Sequence, residues 1–164
     1  MSGNLHLHAV PSSALRNSGT WLERQFLDHA VAERYRPSRY RAQVLDERYR
    51  DQERIYLSAR SCCAEGLPET HVVLGGRQVA RSGRNTPRLL VLTAGQARHV
   101  ARFLSATDFP ALWASARGEL LPRYGGTAAE PETREAFAGA HKALRAFYNQ
   151  TAEEGYAVVK RLSA

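Results

Sequence analysis

Cysteine is scarce in this 164-residue chain, and the two that occur, Cys62 and Cys63, are neighbours. Adjacent cysteines do not staple distant segments in ordinary disulfide geometry, so a disulfide framework is excluded and a reducing, cytoplasmic setting is expected. No apolar run approaches the roughly 20 residues needed to cross a bilayer, and no membrane partner is expected. The opening "MSGNLHLHAVPSSALR" lacks both a basic stretch ahead of its apolar residues and an apolar run of secretory length, which argues against export. Lysine is nearly missing as well: of the 23 basic residues only Lys142 and Lys160 are lysine. That arginine excess, beside abundant alanine, matches the coding bias of a high-GC genome. It weakens the polyanion partner that a net charge of +7 and a pI near 9.9 would otherwise invite. Finally, G-x-S-x-G, H-E-x-x-H, Walker and dinucleotide fingerprints are all absent, so neither a reaction nor a cofactor can be read from local motifs, and no cofactor is expected. A site assembled from distant residues would leave no such trace.

What is present fits one globular domain spanning residues 1–164, a length at which roughly 70% of the surface of the unfolded chain is buried. The stretch "NLHLHAV" alternates Leu5, Leu7 and Ala9 with His6, His8 and Val10, the pattern of a strand with one buried face. Pro11 ends it, a short helix capped by serines follows, and Gly19 is placed to stop that helix. Thr20 and Glu23 then form a T-x-x-E capping box for a helix with Leu22, Phe26 and Ala30 on its apolar stripe. Near the middle, Gly75-Gly76 reads either as a two-residue hairpin or as the end of a short helix. "RLLVL" at residues 88 to 92 reads as an interior strand. Thr93 and Gln96 make a second capping box, with Ala97, Val100, Ala101 and Leu104 as the stripe behind it. Asp108 is placed to cap the next helix and Gly118 to end it. A long last helix, with Pro131 in its first turn, carries Phe137, His141, Leu144, Tyr148 and Thr151 inward, flanked by Phe147. Gly155 stops that helix before a closing strand in "YAVVKRLS". The expected class is α+β: a single compact domain, mostly helical, with a small mixed sheet that includes N- and C-terminal strands.

The segment "YRPSRYRAQVLDERYRDQERIYLSAR", residues 35 to 60, interleaves seven arginines with four tyrosines and raises the question of a nucleic-acid surface. From Ala42 the helical period places Leu45, Tyr49, Gln52 and Tyr56 on one face. Asp46 lies four residues before Arg50, Arg48 three before Asp51, and Asp51 three before Arg54, so local carboxylates neutralise much of the positive field. The segment reads as a solvated helix face. Only Arg34, Arg36, Arg39 and Arg41 form a patch where acids are sparse.

Four segments taken together, "VLDERYRDQERIYLSA", "VVLGG", "RLLVLTAGQARHVARFLSATDFPALW" and "ALRAFYNQTAEEGYAVVKRL", resemble the YfbM-like family of small bacterial proteins of unknown function. The shared order is an aspartate-containing helix, a Gly-Gly loop, a strand into a Thr-capped helix, then an aromatic-bearing helix, a glycine and a strand. The resemblance covers most of residues 5 to 163 and implies a compact α+β domain in a cytosolic bacterial protein. It implies no reaction.

Several side chains are candidates for chemistry. His6 and His8 share one face of a strand and would give two metal ligands if a third converged; otherwise no metal is expected. Cys62 or Cys63 would be a nucleophile if a helix terminus or an imidazole lowered its thiol pKa. His141 and Tyr148 are candidates for acid–base work, and Trp113, Phe137, Tyr148 and His141 for lining a ligand cavity. Each has a plainer role in packing. The functional expectation is a ligand- or protein-binding module whose partner is a small molecule or a protein, and not a nucleic acid. The alternative is a small enzyme with a pocket of histidine, cysteine and aromatic residues. The oligomeric state is left open.

Overall fold

A computed structural model describes residues 3–27, 40–58, 67–79 and 88–162. Five strands, β1 (Leu5–Val10), β2 (Ala42–Leu45), β3 (Arg77–Gln78), β4 (Leu89–Leu92) and β5 (Ala157–Leu162), form one sheet in the order β2-β1-β5-β4-β3. Around it lie α1 (Gly19–Leu27), α2 (Tyr49–Leu57), α3 (Pro68–His71), α4 (Ala94–Ala106), α5 (Phe109–Leu120) and α6 (Glu130–Glu153). The architecture is the expected α+β, mostly helical, with a strand near each end of the chain. The sheet, however, is antiparallel at every pairing and not mixed. A parallel pair would need a crossover between neighbouring strands of like direction, and no adjacent pair here has it.

The sheet is covered on both faces. On one, Leu5, Leu7, Leu92 and Val158 pack with residues of α2, α4, α5 and α6. On the other, Val10, Val91, Ala157 and Val159 pack with Leu22 and Phe26 of α1. Hence β1 is not the one-faced strand that its alternation predicts: Leu5, Leu7, His8, Ala9 and Val10 are all buried. An interior strand with both faces covered loses the polar–apolar contrast on which the alternation rule depends.

The capping chemistry is partly as expected. Thr93 and Gln96 form a complete capping box: the Gln96 amide donates to Thr93 Oγ1 at 3.2 Å and the Thr93 amide to Gln96 Oε1 at 2.9 Å. Ala97, Val100, Ala101 and Leu104 are all buried behind it. α1 begins two residues earlier than the Thr20–Glu23 box implies, with Gly19 inside the helix and the Trp21 amide donating to Ser18 Oγ at 3.2 Å. Asp108 occupies the cap position of α5 without a side-chain cap bond, and Gly118 is simply an exposed residue within that helix. α6 has Pro131 in its first turn, beside Glu130 and Glu132, whose charges suit the helix N-terminus. It closes in a Schellman arrangement: Gly155 has φ of 67°, its amide donates to Ala152 O at 3.1 Å, and the Tyr156 amide donates to Thr151 O at 3.0 Å.

The largest departure is at residues 42–45, which form the edge strand β2 and not the start of a helix. Leu45 is buried in the same cluster as Tyr49 and Tyr56, so the apolar face is as expected while the backbone is not. The change of backbone falls at Asp46, whose Oδ1 accepts from the Arg48 amide at 3.0 Å in a local turn. At Gly75-Gly76 no hairpin forms with residues 72–74, which continue as turns after α3. Gly76, at φ of 133°, leads into β3 instead. Among the described residues no helix is long and apolar enough to cross a membrane.

Candidate functional site

The first turns of α2 stand at the meeting point of three surface hollows, and Tyr49 lines all of them. One of them lies between β2, α2 and α6 and holds about 330 Å³. Its wall from α6 is made of Ala136, Phe137, Gly139, Ala140 and Ala143, small residues apart from the phenyl ring. From the other side come Tyr49 and Gln52, with Asp46 and Arg48 beside them. Asp46 and Arg48 are ion-paired, and that bond holds the Asp46 carboxyl below its ordinary pKa. A second hollow, broad and about 770 Å³, runs from Gly3 and Asn4 past Arg48 to Tyr124. A third, about 380 Å³, lies between α2, the β3–β4 pair and the end of β5.

Gln52 ties the first hollow to the core. Its side chain is 2% exposed, and Nε2 donates to Tyr56 Oη at 3.1 Å. Tyr56 Oη in turn lies 3.1 Å from His141 Nδ1. Burial pushes the Tyr56 hydroxyl well above its usual pKa and holds His141, next to Arg145, below the ordinary imidazole value. Both are therefore neutral around pH 7, and the chain Gln52–Tyr56–His141 is a neutral hydrogen-bond relay. Gln52 Oε1, however, is buried with no hydrogen-bond partner. Turning the amide over would exchange the orphaned oxygen for the nitrogen without removing the deficit.

Close to the third hollow is a cluster of titratable groups around the turn at residues 71–75. Lys160, wholly buried on the helical face of β5, donates to His71 O at 2.5 Å and Gly75 O at 2.9 Å. Tyr148 Oη donates to Val72 O at 2.8 Å, and Glu53 Oε1 accepts from the Leu74 amide at 3.2 Å. Burial lowers the Lys160 pKa to about 7, opposed by the nearby charge of Glu53. Burial also raises the Glu53 carboxyl and, together with Lys160, lowers His71. Gly75 is required here, because a Cβ would stand 2.0 Å from Thr70 O.

The sequence model of a domain of unknown function, DUF1877, matches residues 54–160, about two thirds of the chain. The chain belongs to the DUF1877 family. Among solved structures, this DUF1877 protein is similar to YfbM from Escherichia coli, a protein of unknown function. The TM-score is 0.65 with 16% identity, over 98% of this chain and 99% of that one. At such identity the likeness shows a shared fold. No curated protein matches the sequence. The YfbM-like resemblance of the sequence segments is thus a family and fold relationship.

The candidate side chains of this DUF1877 protein fall in different places. Phe137 lines the first hollow. His141 is 3% exposed, packed between Tyr56 and Phe109 with ring centroids at 5.9 and 5.3 Å. Tyr148 is wholly buried, its hydroxyl spent on the turn at residues 71–75 and pushed well above its ordinary pKa by burial. Trp113 stacks between Phe109 and Phe137, and its Nε1 donates to Glu130 Oε1 at 3.0 Å. The aromatic group therefore exists as a packed cluster, of which only Phe137 reaches a hollow described here. His6 and His8 stack with planes 8° apart, and His8 is buried against Phe26. Among the described residues no group of three or more His, Cys, Asp or Glu could hold a metal ion. Cys62 and Cys63 lie outside the described residues, as do Arg34, Arg36 and Arg39.

Sequence reasoning passed over Gln52, Glu53 and Lys160. Gln52 was legible as the one amide on an apolar and aromatic stripe. Lys160 was legible as a lysine inside the strand "AVVKRL" of a chain that otherwise uses arginine. Glu53 carried no local signal, since its partners come from residues 74 and 160.

Proposed function

We propose that this protein is a cytoplasmic, bacterial binding module that takes a small, flat, uncharged molecule in the hollow between β2, α2 and α6. The observation that carries the reading is Gln52, a buried amide in the wall of that hollow with one end unpartnered. An unsatisfied buried polar atom costs about 1–3 kcal/mol, which a ligand donor or acceptor would recover. The terminal amide turns to meet a ligand group of amide type, able to donate and accept. Phe137 and Tyr49 offer aromatic surface, and the Ala and Gly wall of α6 leaves room beside them. At about 330 Å³ the volume falls within the roughly 300–1,000 Å³ of ligand clefts.

A nucleic-acid partner is not part of the reading. Support comes from the arginines: Arg41 pairs with Glu154, Arg48 with Asp46, Arg54 with Asp51 and Glu119, Arg117 with Glu130, and Arg123 with Asp51. The test is an NMR screen of small aromatic amides against the protein and against Ala140→Leu, which fills the hollow. Saturable shifts at the Gln52 side-chain amide that vanish in the variant are expected. Binding that survives in Ala140→Leu, or shifts that avoid Gln52, would refute the assignment.

A further inference from the structure

The third hollow differs in chemistry from the first. Its lining carries three guanidinium groups, those of Arg50, Arg54 and Arg88, around one half-buried carboxylate, Glu53. Arg54 is already engaged, 3.5 Å from Asp51 and 3.3 Å from Glu119. Arg50 is not: its Nε donates to Tyr49 Oη at 3.2 Å and its guanidinium lies 5.8 Å from the centre of that ring, which leaves its terminal nitrogens without an acidic partner. Among the described residues no carboxylate lies within ion-pairing distance of Arg88 either. Exposed arginines without carboxylates occur elsewhere, as at Arg98 and Arg102 on the outer side of α4. Those line none of the hollows described here. Arg50 and Arg88 instead flank a concavity of about 380 Å³ with a carboxylate in its wall.

We propose that this hollow binds a small carboxylate or phosphate through Arg50 and Arg88, while Glu53 accepts a hydrogen bond from a hydroxyl or ammonium group of the same molecule. The planar guanidinium fork suits anionic oxygens, which it meets with paired N–H donors. Glu53 has one oxygen committed to the Leu74 amide and retains acceptor capacity on the carboxylate. A half-buried negative charge beside an anion site repels a simple anion, so the arrangement favours a ligand that brings a donor to Glu53 over one that does not. Leu74, Leu90 and Leu162 close the remaining wall with apolar surface and limit the guest to a small molecule. This site is separate from the Gln52 hollow, with Tyr49 as the shared partition.

The experiment is a set of amide and guanidinium NMR titrations with inorganic phosphate, glycerol phosphate and glycolate. They are run on the full chain, on Arg50→Gln/Arg88→Gln, and on Glu53→Gln. The expected result is saturable shifts at Leu74, Gln78 and the Arg50 and Arg88 side chains, with affinity at least tenfold weaker in the double arginine variant. Glycerol phosphate or glycolate should bind better than inorganic phosphate. Glu53→Gln, which keeps an oxygen for Leu74, should bind inorganic phosphate as well or better and lose the preference for the hydroxyl-bearing ligand. The relative response to glycerol phosphate and glycolate separates phosphate from carboxylate ligands. Unsaturable shifts spread over the basic surface, or equal binding by the double variant, would overturn the site. An unchanged preference in Glu53→Gln would overturn the role of the carboxylate.

Discussion

Replacing Lys160 with Met should change how stability depends on pH. In the folded protein this ammonium is wholly buried and its pKa is lowered to about 7, against 10.5 for an unburied lysine. Between those values the unfolded chain holds a proton that the folded chain does not. Above pH 10.5 the group is neutral in both states and costs nothing. As pH falls towards 7, stability is lost at about 1.36 kcal/mol per pH unit, and the whole interval amounts to on the order of 5 kcal/mol. Over the accessible part of it, from about pH 10 to pH 7, the wild type should lose about 3–4 kcal/mol more than the Met variant. The absolute difference at any single pH is a poorer guide, because Met also leaves the His71 and Gly75 carbonyls without their donor, at about 1–3 kcal/mol for each. The assay is urea unfolding followed by far-UV circular dichroism at unit steps of pH for both proteins. A stability difference between them that stays constant from pH 10 to pH 7 would refute the argument, since a lysine charged in both states contributes no slope.

Four further substitutions test the scaffold. Thr93→Ala removes a complete capping box and should cost about 1 kcal/mol in chemical denaturation, whereas Asp108→Ala, at a cap position without a cap bond, should change stability by only a few tenths. Tyr56→Phe strands both the Gln52 amide and His141 Nδ1, so a loss of about 1–3 kcal/mol for each buried group is expected in the same assay. Gly75→Ala drives a methyl against Thr70 O and should lower stability by at least about 1–3 kcal/mol in thermal unfolding, with hydrogen exchange rising first at the Leu74 amide.

Local rules recovered much of the fold and little of the site, for reasons visible at particular residues. The Thr93–Gln96 box, the stripe from Ala97 to Leu104 and the Gly155 stop depend on neighbours within one or two turns, and such signals survive in sequence. Residues 42–45 misled because Leu45 is buried as either a strand or a helix residue, so the helical spacing to Tyr49 held while the backbone changed at Asp46. β1 hid its second buried face because α1, which covers it, is distant from the alternation it alters. The ion pairs were legible in kind more than in partner. Asp51 meets Arg54 as expected, but it also takes Arg123 from far along the chain, and Arg50 turns to its neighbour Tyr49 in place of Asp46. The polar cluster joins residues 53, 71–75, 148 and 160, and only the folded chain brings them together.

The antiparallel neighbours of β5 are β1 and β4, drawn from the start and the middle of the chain. Until residues 157–162 have left the ribosome, the β2–β1 ribbon and the β4–β3 ribbon have nothing to join them, and the hydrophobic surfaces on either side stay open. Synthesis from amino to carboxyl end therefore postpones closure until β5 emerges, and a nascent chain stalled before that keystone would expose two unfinished edges to aggregation or to a chaperone.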